Sequence, residues 1–297
     1  MTRSALLVIA GPTASGKSGL ALDLAERIGG TIVNADSMQV YRDLRVLTAR
    51  PDPGDEARAP HRLFGHIDGV EACSAARWAA EAKVVLAQVE RPILVGGTGL
   101  YLRTLLDGIA PVPAIDPAIR AEVRALPVAE AYRRLKIGDP GAAARLAPAD
   151  ATRVARALEV VLSSGRPLTD WQRERVGGIG DRYAVAGLVL TPDRTVLDDQ
   201  IVRRVDAMLA TGALDEVAAL TARGLDPALP VMRAIGVAPL AAHLVGTLTR
   251  TAALAQIALD TRRYAKRQDT WFRHQAPAEW LRTGDQMAAL ALLDAAC

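Results

Sequence analysis

"GPTASGKS", residues 11–18, is the stretch that decides the fold. It follows "ALLVIA", an apolar run of strand length, and precedes "ALDLAERIGG", which reads as a helix closed by glycine. Gly11, Pro12, Thr13, Ala14, Ser15, Gly16, Lys17 and Ser18 fit G-x-x-x-x-G-K-[ST] in full. The glycines let the backbone curl so that several N–H groups point inward at phosphate oxygens. The helix that starts near Gly16 adds its positive end. Lys17 supplies a point charge between phosphates and Ser18 a hydroxyl for Mg²⁺. Thr13 and Ser15 either donate hydroxyls inside the loop or satisfy local backbone groups. The motif does not say which phosphate is held.

Two more apolar runs read as strands buried on both faces: "GTIVNAD", ending at Asp36, and "RPILVGG", ending at Gly97. Helices are expected at 16–28, about 74–90 and 99–107. Strands alternating with helices predict an α/β fold, a P-loop NTPase-like parallel sheet core. The proline-rich "APVPAIDP" then breaks the pattern. Helical stretches follow, and the next strand is "YAVAGLVLTP", near 183–192. From there the pattern reads as helical to the end. The expected organisation is a core from 1–112 and 181–297, with a helical insertion domain at 113–180.

The 297 residues suffice for such a core, and the hydrophobic half of the composition excludes global disorder. Only four of the 36 basic residues are lysines, at 17, 83, 136 and 266, so arginine dominates the surface charge. A net charge of +3 permits an anionic partner without demanding one. Cys73 and Cys297 give neither metal spacing nor a disulfide framework, and inert reduced thiols are expected. The N-terminus reads as no secretory signal, and no apolar run is long enough for a membrane span. A cytoplasmic location is the expectation.

An NTPase normally carries a second carboxylate at the end of a neighbouring strand. "RPILVGG" instead runs into Gly96-Gly97-Thr98-Gly99, which argues against ATP hydrolysis but not against a kinase. The carboxylate present is Asp36. Ligands of open α/β sheets lie outside the carboxyl ends of the strands, so Asp36 should face the crevice that Lys17 faces. There it suits a general base; a turn cap is the alternative. "VGGTGLY" permits either close backbone approach to a ligand or a tight turn. "TRRYAKRQDTWFRHQ", residues 261–275, gathers basic and aromatic side chains in a chain poor in aromatics. It suits nucleic acid, or equally an amphipathic helix with its aromatics on the core. Arg153 and Arg156, three apart, read as surface ion pairs with Asp150 or Glu159, or as a binding site.

In this order "GPTASGKS", "NADSMQVYRDL", "TARP", "PILVGGTGLYLRTLLDG", "DATRVARALEV", "PDRTVL", "RRVDAML", "DEV", "RAIG" and "YAKRQDTWFR" resemble the tRNA dimethylallyltransferases (isopentenyltransferases) over nearly the whole chain. Lacking a C2H2 zinc-finger extension, the chain resembles the bacterial type. The resemblance implies transfer of a prenyl group from dimethylallyl diphosphate to N6 of an adenosine beside the anticodon. The loop would then hold a diphosphate, with Mg²⁺ near Ser18. Asp36 would be the base, Lys17 and Thr98 would act at the reacting site, and Arg204 matches a family arginine for the diphosphate. Asp36, Ser37, Met38 and Gln39 would meet the target nucleotide. Arg153, Arg156, Lys266, Arg267, Gln268, Trp271 and Arg273 would grip the tRNA anticodon arm, and no obligate protein partner is implied. Departures from the family pattern are Leu47 in place of a common glycine, Gln200 where another arginine is frequent, and Val237-Ala238-Pro239 after "RAIG". A P-loop small-molecule kinase and a non-catalytic RNA-binding protein are the alternatives.

Overall fold

The computed structural model describes residues 3–294. It divides into two compact units, one running to Leu105 and resuming at Gly180, the other Leu106–Ile179. The first unit is built on a six-stranded sheet with spatial order β3-β2-β4-β1-β5-β6. The strands are β1 (Ser4–Ala10), β2 (Thr31–Asn34), β3 (His61–Arg62), β4 (Pro92–Gly96), β5 (Tyr183–Leu190) and β6 (Leu281–Thr283). Every neighbouring pair is parallel. Leu6 to Ala10 of β1 and all of β4 are buried, as strands covered on both faces require. Leu7, Ile9, Ile32, Ile93 and Leu188 pack with Leu20 and Leu24 of the helix Lys17–Ile28.

Registers of Ile9 with Val95 and of Asn34 with Val95 bring the ends of β1, β2 and β4 to one level. The chain leaves those ends at Gly11, Ala35 and Gly97, so the three loops are neighbours. This is the edge at which parallel sheets bind ligands.

Two short strands escape the sequence pattern. His61–Arg62 is too brief to show any period. Leu281–Thr283 corrects the expectation of helix to the end. Its placement is fixed by Trp280, whose ring occupies the space where Gly187 of β5 has no side chain. Cys73 is a free thiol, and Cys297 lies outside the described residues.

The second unit is helical. Its helices are Pro117–Ala125, Val128–Gly138, Pro140–Arg145, Ala151–Ser164 and Leu168–Trp171. Val123, Leu135, Val154 and Leu158 form its core. Aspartates 116, 139 and 150 cap three of the helices through backbone N–H groups. Truncating fully buried Leu158 to alanine is expected to cost about 2–5 kcal/mol in urea denaturation. An unchanged transition midpoint would contradict this packing.

Candidate active site

The phosphate loop is curled by three left-handed or glycine-only residues: Gly11 at φ 147°, Ala14 at φ 63° and Gly16 at φ 87°. Gly16 is the N-cap of the helix Lys17–Ile28, so that helix points its positive end into the loop. Lys17 Nζ bends back and donates to the Pro12 carbonyl at 2.9 Å. Thr13 serves local order with its N–H, donated to Gln268 Oε1 at 2.8 Å, while its hydroxyl accepts from Arg204 Nη1 at 3.2 Å. The hydroxyl of Ser15 is buried without a hydrogen-bond partner.

Asp36 is set by its neighbours on both sides. Asn34, fully buried at the end of β2, accepts the Asp36 N–H at 2.8 Å and donates to the carbonyls of Asp36 and Leu63, each at 3.0 Å. Asp36 Oδ1 in turn accepts the Met38 N–H at 2.9 Å. Asp36 is therefore a turn cap through one oxygen. Its other oxygen, Oδ2, has no hydrogen-bond partner among the described residues, which leaves it for chemistry. The Ser37 N–H donates to Thr98 Oγ1 at 3.0 Å, and the Thr98 N–H to the Ala35 carbonyl at 3.3 Å. These bonds tie the end of β2 to the end of β4. Gly96 makes the approach possible, because a Cβ there would lie 2.1 Å from the Ala35 carbonyl oxygen.

Two adjoining cavities open on this edge, of about 320 and 250 Å³. Thr13, Asp36, Thr48 and Arg204 are common to both. The larger is lined by the phosphate loop, including Lys17 and Ser18. The smaller is mostly apolar, with Met38, Leu47, Ile201, Val205, Met208 and Ile257 in its wall and Tyr264 and Arg267 beside them. A polar cradle thus abuts a greasy chamber, with Asp36 where they meet.

The electrostatics of the cradle are unbalanced. Arg204 donates only to Thr13 and to the Thr48 carbonyl, and neither it nor Lys17 has an ion pair among the described residues. Burial lowers the Arg204 guanidinium below its ordinary value, opposed by the charge of Asp36. Burial likewise lowers Lys17, to about 8; Asp36 opposes the shift and Arg204 adds to it. Two cations with one carboxylate between them call for an anion.

The loop after Asp36 is held from a distance. Glu216, in the first turn of the helix Ala213–Ala222, accepts the N–H groups of Arg45, Val46 and Leu47 at 2.6, 2.7 and 2.9 Å. Gln39 Nε2 donates to the carbonyls of Thr48 and Ala49. Sequence reasoning missed Glu216 and Asn34. Glu216 lies some 170 positions from its partners, and although its stretch "DEV" carries the resemblance, nothing in it assigns this role. Asn34 could have been noticed as an amide inside an apolar strand.

The residues read from "KRQDTWFR" separate into two faces of the helix Arg250–Gln275. Lys266, Arg267 and Arg273 are exposed. Gln268 is buried, and the ring of Trp271 lies where Gly99 has no side chain. The structure therefore turns Gln268 and Trp271 inward, away from the exposed cations. In the helical unit Arg153 pairs with Asp150 at the surface, whereas the partner of Arg156, Glu159, is a buried carboxylate that Arg120 and Arg124 also reach. No group of three His, Cys, Asp or Glu side chains suited to a metal occurs among the described residues. No described helix is long and apolar enough to cross a membrane.

The family model described as IPP transferase matches residues 39–275, and that described as Isopentenyl transferase matches residues 4–72. A tRNA dimethylallyltransferase of Sphingopyxis alaskensis is 62% identical over 282 residues, covering 93% of this chain and 92% of the relative. One of Erythrobacter litoralis is 56% identical over 284 residues, covering 93% and 90%. Among solved structures, the tRNA isopentenylpyrophosphate transferase of Bacillus halodurans superposes with a TM-score of 0.70 at 32% identity, covering 99% of this chain and 96% of that one. A eukaryotic dimethylallyltransferase acting on tRNA gives a TM-score of 0.84 at 26% identity, covering 98% and 77%.

Two outcomes follow from this geometry. Removing the Glu216 carboxylate leaves three loop N–H groups unpaired, so Glu216→Ala is expected to lower stability in urea by about 1–3 kcal/mol; equal midpoints for variant and wild type contradict the latch. The pH dependence of anion binding follows from Lys17. An anion prefers the charged lysine, so the affinity advantage of wild type over Lys17→Met for inorganic pyrophosphate is fully present below pH 8 and shrinks above it. Calorimetric titrations at pH 7 and 9 measure it, and an advantage constant to pH 10 contradicts the lowered lysine.

Proposed function

We propose, from the premise that this chain belongs to the tRNA dimethylallyltransferase family and transfers a prenyl group to tRNA, that its phosphate loop holds the diphosphate of dimethylallyl diphosphate and that Asp36 is its base. The observation that carries the reading is the pair of cations without ion-pair partners, Lys17 and Arg204, on a loop cradle that adjoins an apolar chamber at Asp36. A diphosphate fits the cradle and a five-carbon apolar group fits the chamber. The glycines that end β4 speak against ATP hydrolysis, and the relatives, named tRNA dimethylallyltransferases, favour prenyl transfer over the kinase alternative.

The acceptor is N6 of the adenosine beside the anticodon, extruded from the loop stack to reach a buried centre. Its nitrogen attacks C1 of the dimethylallyl group, the N6–C1 bond forms, and the C1–O bond to diphosphate breaks. The proton of N6 passes to Asp36 Oδ2, the oxygen not committed to the Met38 N–H. Charge growing on the leaving diphosphate is met by the loop N–H groups, Lys17 and Arg204. Thr98 holds Ser37, and hence the Asp36 turn, in place.

The donor set also suits Mg²⁺, which takes few protein oxygens and completes its shell with phosphate and water. Ser18, Asp36 and the buried, unpartnered Gln200 Oε1 all border the phosphate cavity. When bound, the ion supplies charge neutralisation at the diphosphate. Exposed Lys266, Arg267 and Arg273 meet tRNA phosphates, as do Arg153 and Arg156 of the helical unit, which clamps the anticodon arm. Ser37, Met38 and Gln39 lie beside the extruded nucleotide. A cytoplasmic location accords with this substrate.

Incubation with unmodified tRNA and labelled dimethylallyl diphosphate is expected to place label in tRNA. Asp36→Asn is expected to lower kcat by about 10²–10⁴ while changing tRNA affinity little. Label entering only from ATP, or equal losses in turnover and tRNA affinity, would contradict the reading.

A further inference from the structure

We propose that Gln268 is a positioning residue for the phosphate loop rather than a tRNA contact, stapling the loop after β1 to the loop after β4. The inference depends on the diphosphate reading of residues 11–18. Gln268 sits in the C-terminal third of the helix whose outer face carries Lys266 and Arg273, yet it is only 5% exposed. Its Oε1 accepts the Thr13 N–H at 2.8 Å, and its Nε2 donates to the Gly97 carbonyl at 2.9 Å. Both partners are main-chain groups of active-site loops, one from each of two adjacent strands. A buried primary amide is costly unless paired, and here it is paired at both ends.

The closeness of that contact explains a glycine. A Cβ at Gly97 would lie 2.1 Å from Gln268 Nε2, so the second glycine of "VGGTG" makes room for this side chain. The staple also meets the diphosphate machinery directly. Thr13, fixed through its N–H by Gln268, receives Arg204 on its hydroxyl. On the other side, Thr98 follows Gly97 and holds Ser37 beside Asp36. One hydrogen-bonded path therefore joins the arginine of the leaving group to the turn of the base, with Gln268 at its centre. Thr13 spends its N–H on Gln268 and Ser15 its own on the Pro12 carbonyl at 3.3 Å, so the N–H groups at the start of the following helix are the ones left for phosphate. Loss of the staple should disturb diphosphate binding first. Lys266 and Arg267, two and one positions away, project from the helix in other directions and are exposed.

The test compares Gln268→Ala, Gln268→Glu and Lys266→Ala. The glutamate keeps the volume and an acceptor for Thr13, but it opposes an oxygen to the Gly97 carbonyl, so it separates loss of the staple from loss of packing. Affinity for inorganic pyrophosphate is measured on the full chain without tRNA, and affinity for tRNA is measured across a salt series. Both Gln268 variants are expected to lose about tenfold or more in pyrophosphate affinity, and to raise KM for dimethylallyl diphosphate similarly, with tRNA affinity and its salt slope held within about twofold. Lys266→Ala is expected to show the reverse pattern. Pyrophosphate affinity unchanged in both Gln268 variants, or tRNA affinity lost with pyrophosphate binding intact, would overturn the proposal. A wild-type protein that binds pyrophosphate but transfers no prenyl group would count against the catalytic reading alone, because the pyrophosphate comparison stands without it.

Discussion

Lys17 and Arg204 face one cavity without a counter-charge beyond Asp36, and most of the site is arranged around that imbalance. Burying two cations costs folding energy, and the cost persists only where an anion repays it on binding. The loop after β1 can curl because Gly11, Ala14 and Gly16 accept positive φ. The helix behind it faces the anion with its positive end. Asp36 keeps the lysine closer to its charged form and is, among the described residues, the one carboxylate lining the phosphate cavity. In the proposed function this single electrostatic arrangement serves both diphosphate binding and proton removal.

The loops that build the cradle are short and come from different strands, so their precision is supplied from outside. Asn34 fixes the Asp36 turn from within the sheet. Glu216 gathers three consecutive N–H groups of the loop at 45–47. Gln268 and Trp271 press on Gly97 and Gly99 from the long C-terminal helix. That helix divides its labour: its inner face sets active-site geometry and its outer face carries positive charge. Backbone-to-side-chain bonds of this kind hold catalytic groups within the narrow tolerances that transfer reactions need.

Much of this was legible in the amino-acid sequence because its signals are local. The phosphate loop, the strand ending at Asp36 and the strand ending at Gly97 each announce themselves within about ten residues. The resemblance supplied Arg204, whose cavity position gives it physical meaning. What stayed hidden depends on long-range packing. His61–Arg62 and Leu281–Thr283 are strands only because neighbouring edges pair with them. Glu216 lies in the resembling stretch "DEV", but its three N–H partners are some 170 positions away. Helical spacing already puts Gln268 on one face with Tyr264 and Trp271, but the sequence does not show that this face meets Thr13 and Gly97. For Arg153 and Arg156 the ion pairs were legible, whereas a tRNA role depends on a partner that neither sequence nor fold contains.

The most direct measurement is a crystal structure of the protein with a thio analogue of dimethylallyl diphosphate. The account predicts the diphosphate in the curl of residues 11–18, within hydrogen-bonding reach of Lys17 Nζ and the Arg204 guanidinium, with C1 turned toward Asp36 Oδ2 and the prenyl tail in the apolar chamber. A diphosphate bound elsewhere, or one seated in the loop with C1 directed away from Asp36, would contradict it.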